Sequence, residues 1–108
     1  MRRGDFVTAA ISGDLGKPRP ALIVQSDAFA LLPSVMIVPA TTDLRESVDR
    51  FRLLVQPTPE NGLRLPSQLM IDKLSSIYAS RVGGIIGHAD RELLTAVAQA
   101  ISEFLALA

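Results

Sequence analysis

The chain has 108 residues, which is enough for a single domain spanning 1–108 and leaves no length for a second core. Its 11 basic and 11 acidic residues cancel, which argues against a broad positive field for nucleic acid but leaves a local basic groove open. The chain has no cysteine, one histidine and no HExxH spacing, so we expect no disulfide, no metal site and no cofactor.

The chain is apolar for its size, with 48% hydrophobic residues and a mean hydropathy of +0.31. A small domain cannot bury that much apolar surface internally, so we expect a hydrophobic interface, most simply that of a homodimer. No apolar stretch of signal-peptide length follows the basic start, and no run approaches the roughly 18 residues of a membrane span. These features predict a cytoplasmic protein that does not enter a membrane.

The first half of the chain predicts short strands separated by loops. Residues 12–20 are rich in Gly, Pro and Asp and read as a loop, and Ser26 or Asp27 can cap a short helical turn that ends near Pro33. The β-branched or continuous apolar runs between these breaks indicate strands, the second and third of them buried. The predicted strands are residues 5–11, 21–25 and 35–39.

The second half predicts further strands and many breaks. Phe51, Leu53 and Val55 alternate with Arg50, Arg52 and Gln56, as in a strand with one wet face. An Asn-Gly pair marks a turn at 58–62. Residues 67–74 read as one strand, and 76–78 extend it after a bend. Three glycines, at positions 83, 84 and 87, are then expected to break the chain into short pieces.

From residue 89 onward the hydrophobic period changes to that of a helix. Leu93, Val97, Ile101 and Leu105 lie four apart, and Asp90 is placed to cap the first turn. The fold class that follows is mainly β with one helix. It is a small, strongly bent β-barrel or sheet of five to seven short strands, with an amphipathic C-terminal α-helix packed on it.

Four short pieces occur in an order that carries a family resemblance. They are Arg3-Gly4-Asp5, the segment GKPRPALIV at 16–24, Val38-Pro39-Ala40-Thr41-Thr42, and Gly62-Leu63 followed by Ser67 and Asp72. No piece is specific alone, but the ordered set resembles the MazF/PemK toxins of type II toxin–antitoxin systems, with their CcdB/PemK-like fold. The resemblance spans nearly the whole chain.

The resemblance implies a homodimeric toxin endoribonuclease that cuts single-stranded RNA without a metal. Attack by the 2′-hydroxyl gives a 2′,3′-cyclic phosphate, and a cognate antitoxin protein neutralises the toxin. In the family, the arginine of Arg-Pro and the first threonine after Val-Pro-x lie at the catalytic groove, which implies Arg19 and Thr41 here. Some members use the strand aspartate as a base, which implies Asp72.

The chemistry of these three side chains suits that reaction. A guanidinium offers several donors to phosphoryl oxygens, so Arg19 can stabilise the growing charge, and Thr41 can donate to the same phosphate. Asp72 can be the base if it comes within about 3 Å of the 2′-hydroxyl. The alternatives are a rigid Pro-Arg-Pro surface turn, a strand-end cap at Thr41, and a buried aspartate satisfied by backbone N–H groups or by Arg81.

Substrate binding requires positive charge near that groove. The candidates for RNA binding are Lys17, Thr42, Arg45, Arg50 and Arg52. His88 is expected at the entry of the helix rather than as a general base.

Two departures from the family pattern leave the acid and base assignment open. Asp14-Leu15 stands where the family often has Glu-Gln, and Met70 stands where PemK-type members have an arginine. Two other functions remain: a CcdB-like gyrase poison, since residues 24–27 resemble a stretch of CcdB, and a non-enzymatic interaction domain. CcdB-like poisons use a C-terminal tryptophan, and this chain has no tryptophan.

Overall fold

A computed structural model of the chain describes residues 1–11, 17–48 and 50–107. The Asp14-Leu15 departure, and the first residue of the 16–24 motif, lie outside the described residues. Within these residues the chain forms β1 (Asp5–Ala10), β2 (Pro18–Ile23), β3 (Ser34–Thr41), β4 (Arg52–Val55), β5 (Ser67–Met70), β6 (Ser75–Tyr78), β7 (Val82–His88) and α1 (Arg91–Phe104). Three short 3₁₀ turns, Asp27–Phe29, Ile71–Lys73 and Ala79–Arg81, connect them.

The strands form one antiparallel sheet in the order β4-β5-β3-β2-β1-β7, with β6 also paired to β3. One edge of β3 therefore pairs with two strands. The first half of β3 pairs with β6, and its last two residues pair with β5. At the other side of the sheet, the β1–β7 ladder contains two register shifts. Such irregularities bend a sheet, which lets β7 turn back towards β6.

The central strands are buried on both faces. Phe6, Leu22 and Val38 point into one apolar cluster with α1, while their chain neighbours Val7 and Ile23 point into a second cluster on the opposite face. This explains why β2 and β3 read as continuous apolar runs rather than as alternating strands. Ile77 of β6 and Val82 of β7 cover the second cluster, so five strands curl around it.

The predicted fold class is confirmed, although the ladder stays open. In the described part of the chain, β6 and β7 flank the opening and share no pairing register. The C-terminal helix is also confirmed, since the Asp90 carboxylate accepts from the Leu93 N–H at 2.8 Å and Val97 is buried against the sheet. Among the described residues, no helix is long and apolar enough to cross a membrane.

Three predicted boundaries were wrong. The strand predicted at 21–25 begins earlier, at Pro18, because Pro18 and Arg19 pair with β1, so the alternative of a Pro-Arg-Pro surface turn is wrong. Residues 82–88 form one strand, because Gly87 does not break the chain but lets the Asn61 turn approach closely: a Cβ on Gly87 would lie 2.2 Å from the Asn61 carbonyl carbon. Residues 67–74 are not one strand, because the chain leaves β5 at Met70 and makes the 3₁₀ turn Ile71–Lys73 before β6. That turn occupies the stretch where β3 changes partner from β5 to β6.

Candidate functional site

Thr41 is the last residue of β3, with Gln68 on the neighbouring strand β5 and Arg19 on the neighbouring strand β2. Thr41 pairs with Gln68 of β5. On its other edge, β3 pairs with β2 in the register Ala21↔Pro39, and continuing this register by two residues sets Arg19 opposite Thr41. Residues opposite one another in an antiparallel ladder point to the same face. We call Arg19, Thr41, Gln68, Arg45 and Arg52 the Thr41 surface.

Gln68 is buried, and its amide binds the backbone of a residue far away in sequence. Its Oε1 accepts from the Arg45 N–H at 3.0 Å, and its Nε2 donates to the Arg45 carbonyl at 2.8 Å. The same Oε1 accepts from the Arg52 guanidinium at 3.4 Å. One side chain on β5 therefore holds both the segment that follows Thr41 and an arginine of β4.

Arg52 pairs across the strands with Met70, the position at which the family resemblance predicts an arginine. An arginine thus lies beside that position, on the neighbouring strand. Its Nε is buried and has no hydrogen-bond partner among the residues that the structure describes. A buried donor without a partner is costly, so this group is not explained by the needs of the fold alone.

The Thr41 hydroxyl keeps its donor capacity. Its Oγ1 accepts from the Asp43 N–H at 3.1 Å, a local turn contact that uses a lone pair and leaves the hydroxyl hydrogen for another acceptor. The alternative of a strand-end cap at Thr41 therefore agrees with the observed contact to Asp43. That contact still allows the hydroxyl to donate a hydrogen bond to a ligand.

The other predicted RNA-binding residues are all exposed, and they differ in their partners. Arg45 binds the Asp43 carboxylate at 3.1 Å and 3.4 Å, and Arg50 binds Glu103 of α1, with its Nε at 3.1 Å. Lys17 lies immediately before β2, and Thr42 lies in the bend after β3. Arg50 therefore projects towards the end of the helix, whereas Arg45 remains next to Gln68.

Asp72 is not adjacent to Thr41 on the sheet. It lies in the 3₁₀ turn Ile71–Lys73, between the β3–β5 pairing that ends at Ala40 and the β3–β6 pairing that begins at Ile37. That level is two to three residues from Thr41, roughly 7–10 Å along the strand. The alternative of a buried, satisfied aspartate is wrong, because Asp72 is exposed.

A second polar contact, which the sequence did not predict, joins the start of β1 to the end of β7. Asp5 is 4% exposed, and its Oδ1 lies 2.7 Å from His88 Nδ1 while its Oδ2 accepts from the Arg2 N–H at 2.8 Å. His88 ends β7 two residues before the helix cap, as a helix-entry residue should. The pair ties the start of β1 to the end of β7. The only feature of the sequence that pointed towards this contact was the Arg3-Gly4-Asp5 piece, since its aspartate is the partner of His88.

The Thr41 surface contains no carboxylate of its own. Among the described residues, no three His, Asp or Glu side chains lie close enough together to hold a metal ion. What the surface offers is guanidinium, hydroxyl and amide donors, which suit the oxygens of a phosphate. The fold and the surface together define a class: a small bent-sheet domain with a C-terminal helix and an arginine- and hydroxyl-lined surface for an anionic ligand.

Comparison with known proteins identifies the family within that class. A family model of PemK-like, MazF-like toxins of type II toxin–antitoxin systems matches residues 2–105. A protein of Mycolicibacterium smegmatis named probable endoribonuclease MazF is 39% identical over the whole chain and 99% of its own length. The chain belongs to the PemK-like, MazF-like toxin family.

Solved structures show the same fold. The Mycobacterium tuberculosis toxin MazF-mt6 superposes with a TM-score of 0.79 at 26% identity, over 94% of this chain and 95% of that one. A mycobacterial endoribonuclease bound to its cognate antitoxin superposes with a TM-score of 0.82 over 100% and 97%; at 19% identity it shows the fold alone.

Proposed function

We propose that this chain is a toxin endoribonuclease that cleaves single-stranded RNA without a metal. The observation that carries the proposal is the β2–β3 register, which ends at the pair Ala21↔Pro39 and, continued by two residues, brings Arg19 opposite Thr41. The Arg52 guanidinium of β4 binds Gln68, which is the partner of Thr41 on β5. The name of the M. smegmatis relative, probable endoribonuclease MazF, supports the same chemistry.

The reaction requires only groups that this surface and the RNA supply. The ribose 2′-oxygen attacks the adjacent phosphorus while its proton passes to a base. The bond from phosphorus to the 5′-oxygen breaks, and that oxygen takes up a proton. Arg19 stabilises the negative charge that grows on the phosphoryl oxygens, and Thr41 donates a hydrogen bond to one of them. The products carry a 2′,3′-cyclic phosphate and a 5′-hydroxyl.

Asp72 is the proposed base, and its position limits how the RNA can bind. It must come within about 3 Å of the 2′-hydroxyl, and it lies roughly 7–10 Å along β3 from Thr41. The RNA would therefore have to run along β3, so that the attacked ribose lies nearer the 3₁₀ turn than the phosphate does. Lys17, Thr42, Arg45, Arg50 and Arg52 are proposed to bind the flanking phosphates and bases.

We also propose a homodimer and a cognate antitoxin as partners. Large apolar side chains remain exposed, among them Phe29, Leu31 and Tyr78. Tyr78 pairs with Ser34, which comes soon after Phe29 and Leu31 in the chain. A patch of this kind suits a protein interface. Membership of a toxin–antitoxin family supports an antitoxin that blocks the RNA surface. A substrate of this class supports a cytoplasmic location.

The test is incubation of purified protein with a long single-stranded RNA in EDTA, beside the Arg19→Ala variant. We expect discrete fragments with 2′,3′-cyclic phosphate ends, and a loss of about 100-fold or more in rate for Arg19→Ala, as for removal of one charge-stabilising donor. Arg64→Ala, which removes an exposed arginine from the loop before β5, is the matched control and should cleave normally.

Other outcomes select the alternatives. No cleavage of several RNAs, together with trapping of gyrase on DNA, would favour a CcdB-like poison. Growth inhibition that stays intact in Arg19→Ala and Thr41→Ala would favour the gyrase poison or an interaction domain. A large fall in the melting temperature of Arg19→Ala would show that Arg19 is structural.

A further inference from the structure

The Gln68 amide stabilises a segment that the sheet does not. Residues 42–47 follow Thr41 and make no backbone–backbone hydrogen bond to the sheet in the described part of the chain. The two bonds from the Gln68 side chain to the N–H and the carbonyl of Arg45 span 23 positions in sequence and fix the middle of this segment. A strand residue does not need such a side chain, because β5 pairs with β3 and β4 through its backbone.

The third hydrogen bond of Gln68 reaches an arginine whose charge is not cancelled. Arg45 and Arg50 bind Asp43 and Glu103, but no ion pair of Arg52 occurs among the residues that the structure describes. Its guanidinium contacts Gln68 Oε1, and its Nε is buried without a partner. A neutral acceptor orients a guanidinium without reducing its charge, so Arg52 stays available to an anion.

We propose that Gln68 is a positioning residue that sets RNA affinity by holding the Arg45 backbone and the Arg52 guanidinium beside Thr41. The inference rests on the proposed function, because it needs an anionic substrate at the Thr41 surface. Gln68 itself does not touch the reacting atoms. It acts through Arg52, which binds a phosphate of the RNA, and through residues 42–47, which line the same surface.

The test compares Gln68→Met with wild type in steady-state RNA cleavage at several salt concentrations. Methionine matches the length of glutamine and removes all three hydrogen bonds. We expect KM to rise about tenfold, as for the removal of one well-placed charge-assisted hydrogen bond, while kcat changes by less than about threefold. The slope of log KM against log salt should fall by about 0.7 for each phosphate that the protein no longer neutralises.

Two further variants separate positioning from stability. Gln99→Met makes the same change on an exposed face of α1 and should leave KM and the salt slope unchanged. Gln68→Glu keeps an acceptor for the Arg45 N–H but loses the donor to the Arg45 carbonyl and puts a negative charge beside Arg52. It should lower the melting temperature, and it should still raise KM and flatten the salt dependence while kcat changes by less than about threefold.

The inference is overturned if Gln68→Met cleaves RNA with wild-type KM and salt slope. It is also overturned if the variant shows only a lower melting temperature and a lower kcat, since that would be a structural role. These results differ from failure of the proposed function, in which the wild-type protein itself would not cleave RNA.

Discussion

Two polar regions of the molecule differ in how completely their hydrogen bonds are satisfied. At the turn before β5, Asn61 is 5% exposed and uses both ends of its amide: its Oδ1 accepts from the N–H groups of Thr58 and Leu63 at 3.0 Å and 2.9 Å, and its Nδ2 donates to the Gln56 carbonyl at 2.9 Å. Thr58 Oγ1 in turn accepts from the Asn61 N–H at 3.0 Å. This is a saturated network that fixes a loop.

The Thr41 surface is the opposite case. Arg52 has a buried donor without a described partner, and the Thr41 hydroxyl still has a hydrogen to donate. The Asn61 amide is committed to the backbone of its own turn, whereas the Thr41 surface keeps a hydroxyl hydrogen and guanidinium N–H groups that an anion can bind. The Arg52 Nε is not among these groups, because protein atoms enclose it.

The largest effect that this comparison predicts is at Gly87, where β7 passes against the Asn61 turn. Gly87→Ala would place a Cβ 2.4 Å from the Glu60 carbonyl oxygen and closer still to the Asn61 backbone. Because backbone cannot move aside as a flexible side chain does, we expect a loss of about 3 kcal/mol or more in the free energy of unfolding. Chemical denaturation measures it.

The control lies in the same strand. A Cβ on Gly84 would meet nothing within 4 Å, so Gly84→Ala should change stability by less than about 1 kcal/mol. Equal losses for the two variants would mean that glycine matters in β7 for flexibility and not for the close approach.

The next effect is at Asn61 itself. Asn61→Ala removes three side-chain hydrogen bonds from a buried turn, and two backbone N–H groups and one carbonyl lose their partner. We expect a loss of about 2–4 kcal/mol. Asn61→Asp keeps the two bonds to Oδ1 and should lose less. If denaturation showed a loss below about 1 kcal/mol for Asn61→Ala, the distinction between a saturated and an open network would fail.

Much of the fold is predictable from the sequence, because periodicity reports burial directly. The runs at 21–25 and 35–39 predict β2 and β3, and the four-residue spacing from Leu93 predicts α1 with Asp90 as its cap. The errors come from tertiary contacts. The sequence suggests a break at Gly87, whereas a neighbouring turn requires a glycine there, and β5 ends at Met70 because β3 changes its partner at that point.

The site is predictable only in part. The ordered pieces of sequence lead to Arg19 and Thr41, which lie on the neighbouring strands β2 and β3, two residues beyond their last observed pair. Gln68 cannot be recognised from the sequence, since its role depends on bonds to Arg45 that no local pattern shows. The sequence marks Arg52 only as a general source of charge, and its place opposite Met70 follows from the β4–β5 register.

The smallest predicted effect is on activity and separates the two regions most sharply. Thr41→Ala removes a hydroxyl that donates to the phosphate and a local bond from the Asp43 N–H. We expect a partial loss, about tenfold in kcat/KM, because water can replace a neutral donor in part, with a stability change of about 0.5–1 kcal/mol. Thr41→Ser keeps the hydroxyl and should cleave within about threefold of wild type. RNA cleavage and thermal melting on the same samples measure both quantities.

The contrary result is a loss of stability in Thr41→Ala as large as that in Asn61→Ala, restored in Thr41→Ser. The Thr41 hydroxyl would then have a structural role like that of the Asn61 amide, as a cap of β3. An intact melting curve with slow cleavage would assign its unused hydrogen to the substrate.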